Sequence, residues 1–125
     1  MVRKGKPAQS LGRRGEQLAA QYLMARGWEV LERNWRCNEG EIDIIAVDPD
    51  GILVFVEVKT RSGLYYGHPL EGITLEKARR LRGLAVRWVR EHAATTPRIR
   101  VDGVGVVLPP GGRPELRHLI GADPW

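Results

Sequence analysis

Hydrophobic and polar positions change period several times along the chain, and each change marks an element. Over residues 11–26 the apolar positions Leu11, Leu18, Ala19, Tyr22, Leu23 and Ala25 recur on one helical face. Ser10 offers an N-cap in front of it, and Gly27 suits the residue that ends a helix in the left-handed region. "WEVLERNW", residues 28–35, switches to alternation, with Trp28, Val30 and Glu32 against Glu29, Leu31 and Arg33, a strand of mixed faces. A second strand covers residues 41–47. "DPDG", residues 48–51, is a turn in which Pro49 presets φ and Gly51 accepts a positive one. "ILVFVEVKT" follows at once, so the second and third strands form an antiparallel hairpin. The third strand is apolar on both faces up to Val56, which places it in the middle of a sheet.

"RSGLYYGHPLEG" then reads as a loop. Thr74 caps a helix over residues 75–92 whose buried stripe is Ala78, Leu81, Ala85, Trp88 and Val89. Lys77, Arg79, Arg80, Arg82, Arg87 and Arg90 fall on its other face. "TTPR" separates this helix from a fourth strand, "IRVDGVGVVL"; "PPGGRP" is a turn, and "ELRHLI" a short edge strand. The pattern predicts one α/β domain over residues 10–125, a central mixed sheet flanked by two helices. Residues 1–9, with Arg3, Lys4 and Lys6, read as a flexible basic arm.

Charge narrows the partners. The 125 residues carry 20 Lys and Arg against 15 Asp and Glu, and 16 of those cations are Arg, for a net charge of +5. Arg binds phosphate bidentately, so a polyanion such as DNA is a compatible partner. Cys37, the single cysteine, excludes an internal disulfide, and His68, His92 and His118 lack the spacing of a zinc site. Cytoplasm is the expected compartment. No segment has the length of a membrane span, and the basic start is not followed by the apolar run of a signal peptide.

One stretch conflicts with its own hydrophobicity. In "GEIDIIAVDPDGILVFVEVKTR" the charges of Glu41, Asp43, Glu57 and Lys59 lie inside or just beyond apolar runs, where an unpaired ion costs several kcal/mol, on the order of 1–5. Glu57 and Lys59, two residues apart, share a strand face at the end of the buried stretch. Counting outward from the turn puts Asp43 near the level of Glu57. Two carboxylates converging there repel unless a cation lies between them. A lysine supplies one positive charge; a divalent ion supplies two, and Mg²⁺ commonly uses one or two protein carboxylates while keeping water and phosphate oxygens as further ligands. Such a site hydrolyses phosphodiesters. The plainer alternative is a solvated ion pair on a sheet surface.

The segments "GRRGEQLAAQYLMARGWEVLERNWR", "GEIDIIA", "VFVEVKTR", "YGHPLEGITLEKARRLRGLA" and "RVDGVGV" resemble the YraN family of predicted endonucleases. Through it they resemble the PD-(D/E)xK superfamily, including archaeal Holliday junction resolvases. The resemblance implies a restriction-endonuclease-like core of order αβββαβ and a Mg²⁺-dependent endodeoxyribonuclease in which Mn²⁺ can substitute. It implies Asp43 and Glu57 as metal ligands with the Val58 carbonyl as a third, Lys59 as the catalytic lysine, and Glu16 on the first helix completing the site. Glu41, on the same strand face as Asp43, is either a group supporting that site or an ordinary surface residue. Lys77, with Arg79, Arg80 and Arg82 beside it, and Arg61 are phosphate-binding candidates. Tyr65, Tyr66 and His68 either stack on bases or pack their loop. Asp102 reads as structural. The expected substrate is DNA, branched or single-stranded, and symmetric cutting of two strands would favour a homodimer. The superfamily proline before the first Asp is Ile42 here. The alternative function is a nucleic-acid-binding module of the same fold with little turnover of its own, and a weaker third is a structural protein with an ion-pair cluster.

Overall fold

The computed structural model describes residues 10–65, 67–92, 94 and 98–123, so the basic arm, Tyr66 and most of "TTPR" lie outside the described residues. Helix α1, Leu11–Ala25, starts at Ser10, whose hydroxyl accepts from Arg13 N–H at 3.2 Å. It ends before Gly27 at φ 86°. Strands β1 (Glu29–Cys37), β2 (Gly40–Val47) and β3 (Leu53–Arg61) follow. Helix α2 is Leu75–Glu91, capped by Thr74, and strands β4 (Ile99–Val107) and β5 (Glu115–Leu119) complete the chain. The order αβββαβ is the one expected of a restriction-endonuclease-like core, with β5 added at one edge.

The five strands lie in sequence order, antiparallel except for the parallel β3–β4 pair, so β3 is the central strand. The helices cover opposite faces. Ala19, Ala20 and Leu23 of α1 close over Ile44, Ala46, Val54, Val56, Val104 and Val106. Ala78, Leu81, Leu84, Ala85 and Trp88 of α2 close over Ile45, Phe55 and Val101. Each fully buried aliphatic side chain contributes roughly 1.5–3 kcal/mol. The two apolar faces of β3 are thereby explained: one per helix. Ala25, expected on the buried stripe, is exposed, and Gly15, Ala20 and Leu84 take up buried positions instead.

Alternation in β1 fails twice. The register shifts between Val30 and Glu32, so Leu31 bulges out to 44% exposure, while Val30 packs toward α1 and Glu32 bonds Trp88 Nε1 on α2. Asn34 then adopts φ 54°, opposite Asp43 and between the pairs Arg33↔Ile44 and Trp35↔Ile42. Both strands change faces there: Ile44 belongs to the α1 side, yet Trp35 and Ile42 belong to the α2 side.

Within the expected loop, Pro69–Gly72 forms a 3₁₀ turn capped by His68 Nδ1, which accepts from Leu70 N–H at 3.1 Å. It lies against Gly103 and Gly105 of β4, where an added Cβ would come within 2.8 Å of Ile73 Cδ1 and 2.8 Å of Leu70 Cγ. The "DGVG" glycines therefore make room for the segment that leads from β3 into α2.

Candidate active site

The β2–β3 ladder runs from Val47↔Leu53 to Ile44↔Val56, and the same register carried one step further sets Asp43 against Glu57. At that step the strands part. Asp43 Oδ2 accepts the Val58 N–H at 2.8 Å, taking the place of a ladder carbonyl and fixing the carboxylate at the end of β3. Glu57 stands where β3 passes from fully buried to partly buried positions. The hairpin thus delivers both acidic groups to one level of the sheet, as expected from the count outward from the turn.

Glu16 arrives from the other layer. A Cβ on Gly15 would lie 1.8 Å from Thr60 Oγ1 and 2.7 Å from Thr60 Cβ, so α1 rests on β3 at this point with no room for a side chain. The next residue is carried to the sheet end. Glu16 Oε1 is buried without a hydrogen-bond partner among the described residues, and the Asn34 side chain lies near enough to the carboxyl to draw its pKa back down. The left-handed Asn34 therefore links the strand irregularity to the acidic cluster. Glu41 approaches from β2, its carboxylate 3.0 Å from Arg36 Nε.

These carboxyls are electrostatically strained. Burial pushes Asp43 up to about 7, against the opposing pull of the Val58 N–H, and the charges of Glu16, Glu57 and Glu41 push it the same way. Glu16 is raised by burial and by Glu41, with Arg33, Asn34 and Arg13 opposing. Burial also raises Glu57, while Lys77, Lys59 and Arg80 draw it back. Among the described residues no group of three or more His, Cys, Asp or Glu side chains is gathered to hold a metal ion. The donor chemistry nonetheless suits a hard cation with few protein ligands: Asp43 and Glu57 with the intervening backbone of Val58, beside an orphaned glutamate oxygen.

A pocket of about 230 Å³ opens beside Asp43 and Glu57, and Lys77 and Arg80 of α2 line it. Lys59 lies alongside the 3₁₀ turn, where a Cβ on Gly72 would come within 3.2 Å of its Cε. Arg61 ends β3 with a buried Nε that lacks a partner among the described residues. Arg79 is exposed and does not line the pocket. Arg82 is brought elsewhere: its guanidinium forms a two-pronged ion pair with the buried carboxylate of Asp123. His68 packs against Gly105 as loop structure, Tyr65 is exposed, and Asp102 is fully buried in an ion-pair network. Sequence reasoning missed Gly15 and Asn34, and also Arg13, Arg33 and Arg36, which line a second groove beside Glu16. The signal for Gly15 was available in "RRGEQ", a glycine inside a helical pattern; Asn34 gave none.

Residues 15–106 match the model of Uncharacterised protein family UPF0102. A UPF0102 protein of Clavibacter michiganensis subsp. michiganensis is 55% identical over 114 residues, 91% of this chain and 96% of that protein. One from Arthrobacter sp. is 52% identical over 111 residues, 89% of this chain and 93% of that one. Among solved structures, a chain of the EndoMS-dsDNA2 complex superposes with TM-score 0.45 at 16% identity, covering 81% of this chain. A repair endonuclease from Pyrococcus abyssi gives 0.43 at 15%, covering 79%. This chain spans 38% of the length of each of those two. The extent and identity of the first set of matches make the chain a member of family UPF0102, the YraN family expected from its motifs.

Proposed function

We propose that the chain is a divalent-metal-dependent nuclease that hydrolyses phosphodiester bonds of DNA, with Glu16, Asp43, Glu57 and Lys59 at one site. The observation that carries this reading is Asp43, fixed at the sheet end by the Val58 N–H and close enough to Glu16 of α1 and Glu57 of β3 to be pushed up by both, with Lys77 and Arg80 lining the pocket it shares with Glu57. Asp43, Glu57 and the Val58 carbonyl would hold Mg²⁺ or Mn²⁺, which supplies a Lewis acid for the phosphate and an activated water. The Val58 N–H fixes Asp43 Oδ2 and so leaves Oδ1 for a ligand. Lys59 Nζ donates hydrogen bonds to the attacking water or to the charge that grows on phosphate. Lys77 and Arg80 bind phosphate oxygens at the pocket wall, and Glu16 accepts a hydrogen bond from water through Oε1.

A second reading, a nucleic-acid-binding module without turnover, draws on the same geometry, because the described side chains form no three-ligand group. One assay separates them: cleavage of labelled duplex, single-stranded, flap and four-way-junction DNA with Mg²⁺, Mn²⁺ or chelator. Metal-dependent products, lost in Asp43→Ala and Lys59→Ala, are expected. Salt-sensitive binding retained by all three proteins with no product under any condition would establish the second reading instead. The substrate that is cut fixes the structural preference.

A further inference from the structure

The pocket beside Asp43 is poorly suited to hold a polyanion by itself. Lys77 and Arg80 face Glu39, Glu41, Asp43 and Glu57 there, so acidic groups outnumber basic ones. On the other side of Glu41 the balance reverses. A groove of about 470 Å³ between α1 and β1 presents Arg13, Arg33 and Arg36 against Glu16 and Glu41, with Gln17 and Asn34 as neutral donors. Glu41 is a wall common to both spaces.

Resting on the nuclease reading above, we infer that this arginine groove is a second phosphate-binding site, so that one strand of nucleic acid is held on both sides of the carboxylate cluster. Three observations support it beyond charge. The arginines come from two elements, α1 and β1; Gly15 on Thr60 seats α1 on β3, and β1 is paired to that same sheet through β2, so the groove has fixed walls. The left-handed Asn34 accompanies a reversal of faces in β1 that leaves Arg33 lining the groove while Trp35 enters the core on the α2 side. Neutralising Glu41 does not account for them: the Arg36–Glu41 pair is 72% and 50% exposed, and such pairs contribute about 0–1 kcal/mol. Guanidinium forks at a rigid, open groove match phosphate oxygens bidentately. A strand passing through both spaces presents an internal phosphate to Asp43 and Glu57.

The test is fluorescence-anisotropy binding of a fluorescein-labelled single-stranded DNA oligonucleotide in chelator, across a salt series. Arg33→Ala/Arg36→Ala is compared with Lys77→Ala/Arg80→Ala and with a charge-matched control, Arg90→Ala/Arg113→Ala, at exposed positions outside both spaces. Removing one cation that neutralises a phosphate of a single strand lowers the slope of log affinity against log salt by about 0.7, so the slope of the groove variant should fall by about 1.4. The slope of the control should fall by less than half of that. Arg36→Ala alone, at an open position, repeats the test should the double variant fold poorly. Equal decreases in groove and control variants, or no decrease in the groove variant, would overturn the inference. If Lys77→Ala/Arg80→Ala then still weakens binding and the cleavage assay still gives metal-dependent products, the nuclease reading stands without the second site. A wild-type protein that neither binds nor cuts removes both.

Discussion

Two clusters of charge, one buried and one partly buried, sit in the same sheet and are built in opposite ways. At the end where β2 turns into β3, Arg100 reaches Asp102 through Nε at 2.8 Å and Nη2 at 2.9 Å, and Asp48 through Nη1 at 3.0 Å. His118 Nε2 lies 2.8 Å from Asp102, the Gly121 N–H donates to it at 3.0 Å, and Asp48 Oδ1 accepts from the amides of Asp50 and Ile52. Trp28 and Tyr22 pack their rings against His118. Burial alone would raise the Asp102 carboxyl, but His118, Arg100 and Gly121 outweigh it and hold it below its ordinary range. At the other cluster Glu16, Asp43 and Glu57 are all raised, and one glutamate oxygen is orphaned. Completed ion pairs hold a fold together; raised carboxyls beside an orphaned oxygen are the pattern on which the proposed metal site rests.

The contrast breaks most visibly on removing a partner from the completed network. Asp102→Ala leaves Arg100 and His118 facing a buried void and should cost about 3–5 kcal/mol in urea unfolding. Asp43→Asn should cost far less, or stabilise, because it removes a repelled charge and keeps an acceptor for Val58 N–H. Equal losses would mean that both clusters are structural. Next in size is Gly15→Ala, which drives a methyl into Thr60 and should cost about 1–3 kcal/mol by overpacking. It should also lower cleavage by displacing Glu16. Gly15→Ala/Thr60→Gly makes room for the methyl, and recovery of activity in the double variant separates placement of Glu16 from general loss of fold.

The part of this legible in the sequence is the part that local pattern controls. The α1 stripe, the "DPDG" hairpin, the two-sided apolarity of β3 and the Asp43–Glu57 level all follow from period and from a turn whose residues have one good geometry. The bulge at Leu31 and the left-handed Asn34 were not legible, because a single residue leaving the strand region changes no composition and cancels the alternation on which strand reading rests. Arg82 looked like its neighbours on α2 until Asp123, 41 residues away, claimed it. Gly103 and Gly105 read as a weak strand; their purpose appears only with the 3₁₀ turn lying on them.

The two clusters should also respond to pH with opposite signs. Asp43, raised from 3.8 to about 7, binds its proton more tightly folded than unfolded, so its contribution to stability is fully present below about 3.8 and is lost as pH rises through 7. Asp102, lowered in the folded state, contributes above its ordinary 3.8 and loses that contribution as pH falls through its lower folded value. In chelator, unfolding free energy should therefore decline between pH 5 and 8, by roughly 2–3 kcal/mol from Asp43, and Asp43→Asn should lose that part of the decline and keep only what the raised Glu16 and Glu57 contribute. Adding Mg²⁺ at pH 8 should restore stability to the wild type and leave the variant unmoved. A flat profile would show that neither burial nor its acidic neighbours raise Asp43, and the same Mg²⁺ response in both proteins would remove Asp43 from the metal site.

The smallest expected effect sharpens the comparison from outside both clusters. Arg36 and Glu41 form a pair open to water on both sides, so Arg36→Ala should change unfolding free energy by less than about 0.5 kcal/mol. A residue with so little part in stability is still held beside Glu16 by the strand pairing Arg36↔Glu41, at the mouth of the arginine groove. Urea unfolding and DNA binding measured on the same Arg36→Ala preparation then distinguish what the residue does. Weakened binding with unchanged stability assigns it to the ligand. A matching loss in both would place Arg36 with Arg100, as an ion pair that serves the fold.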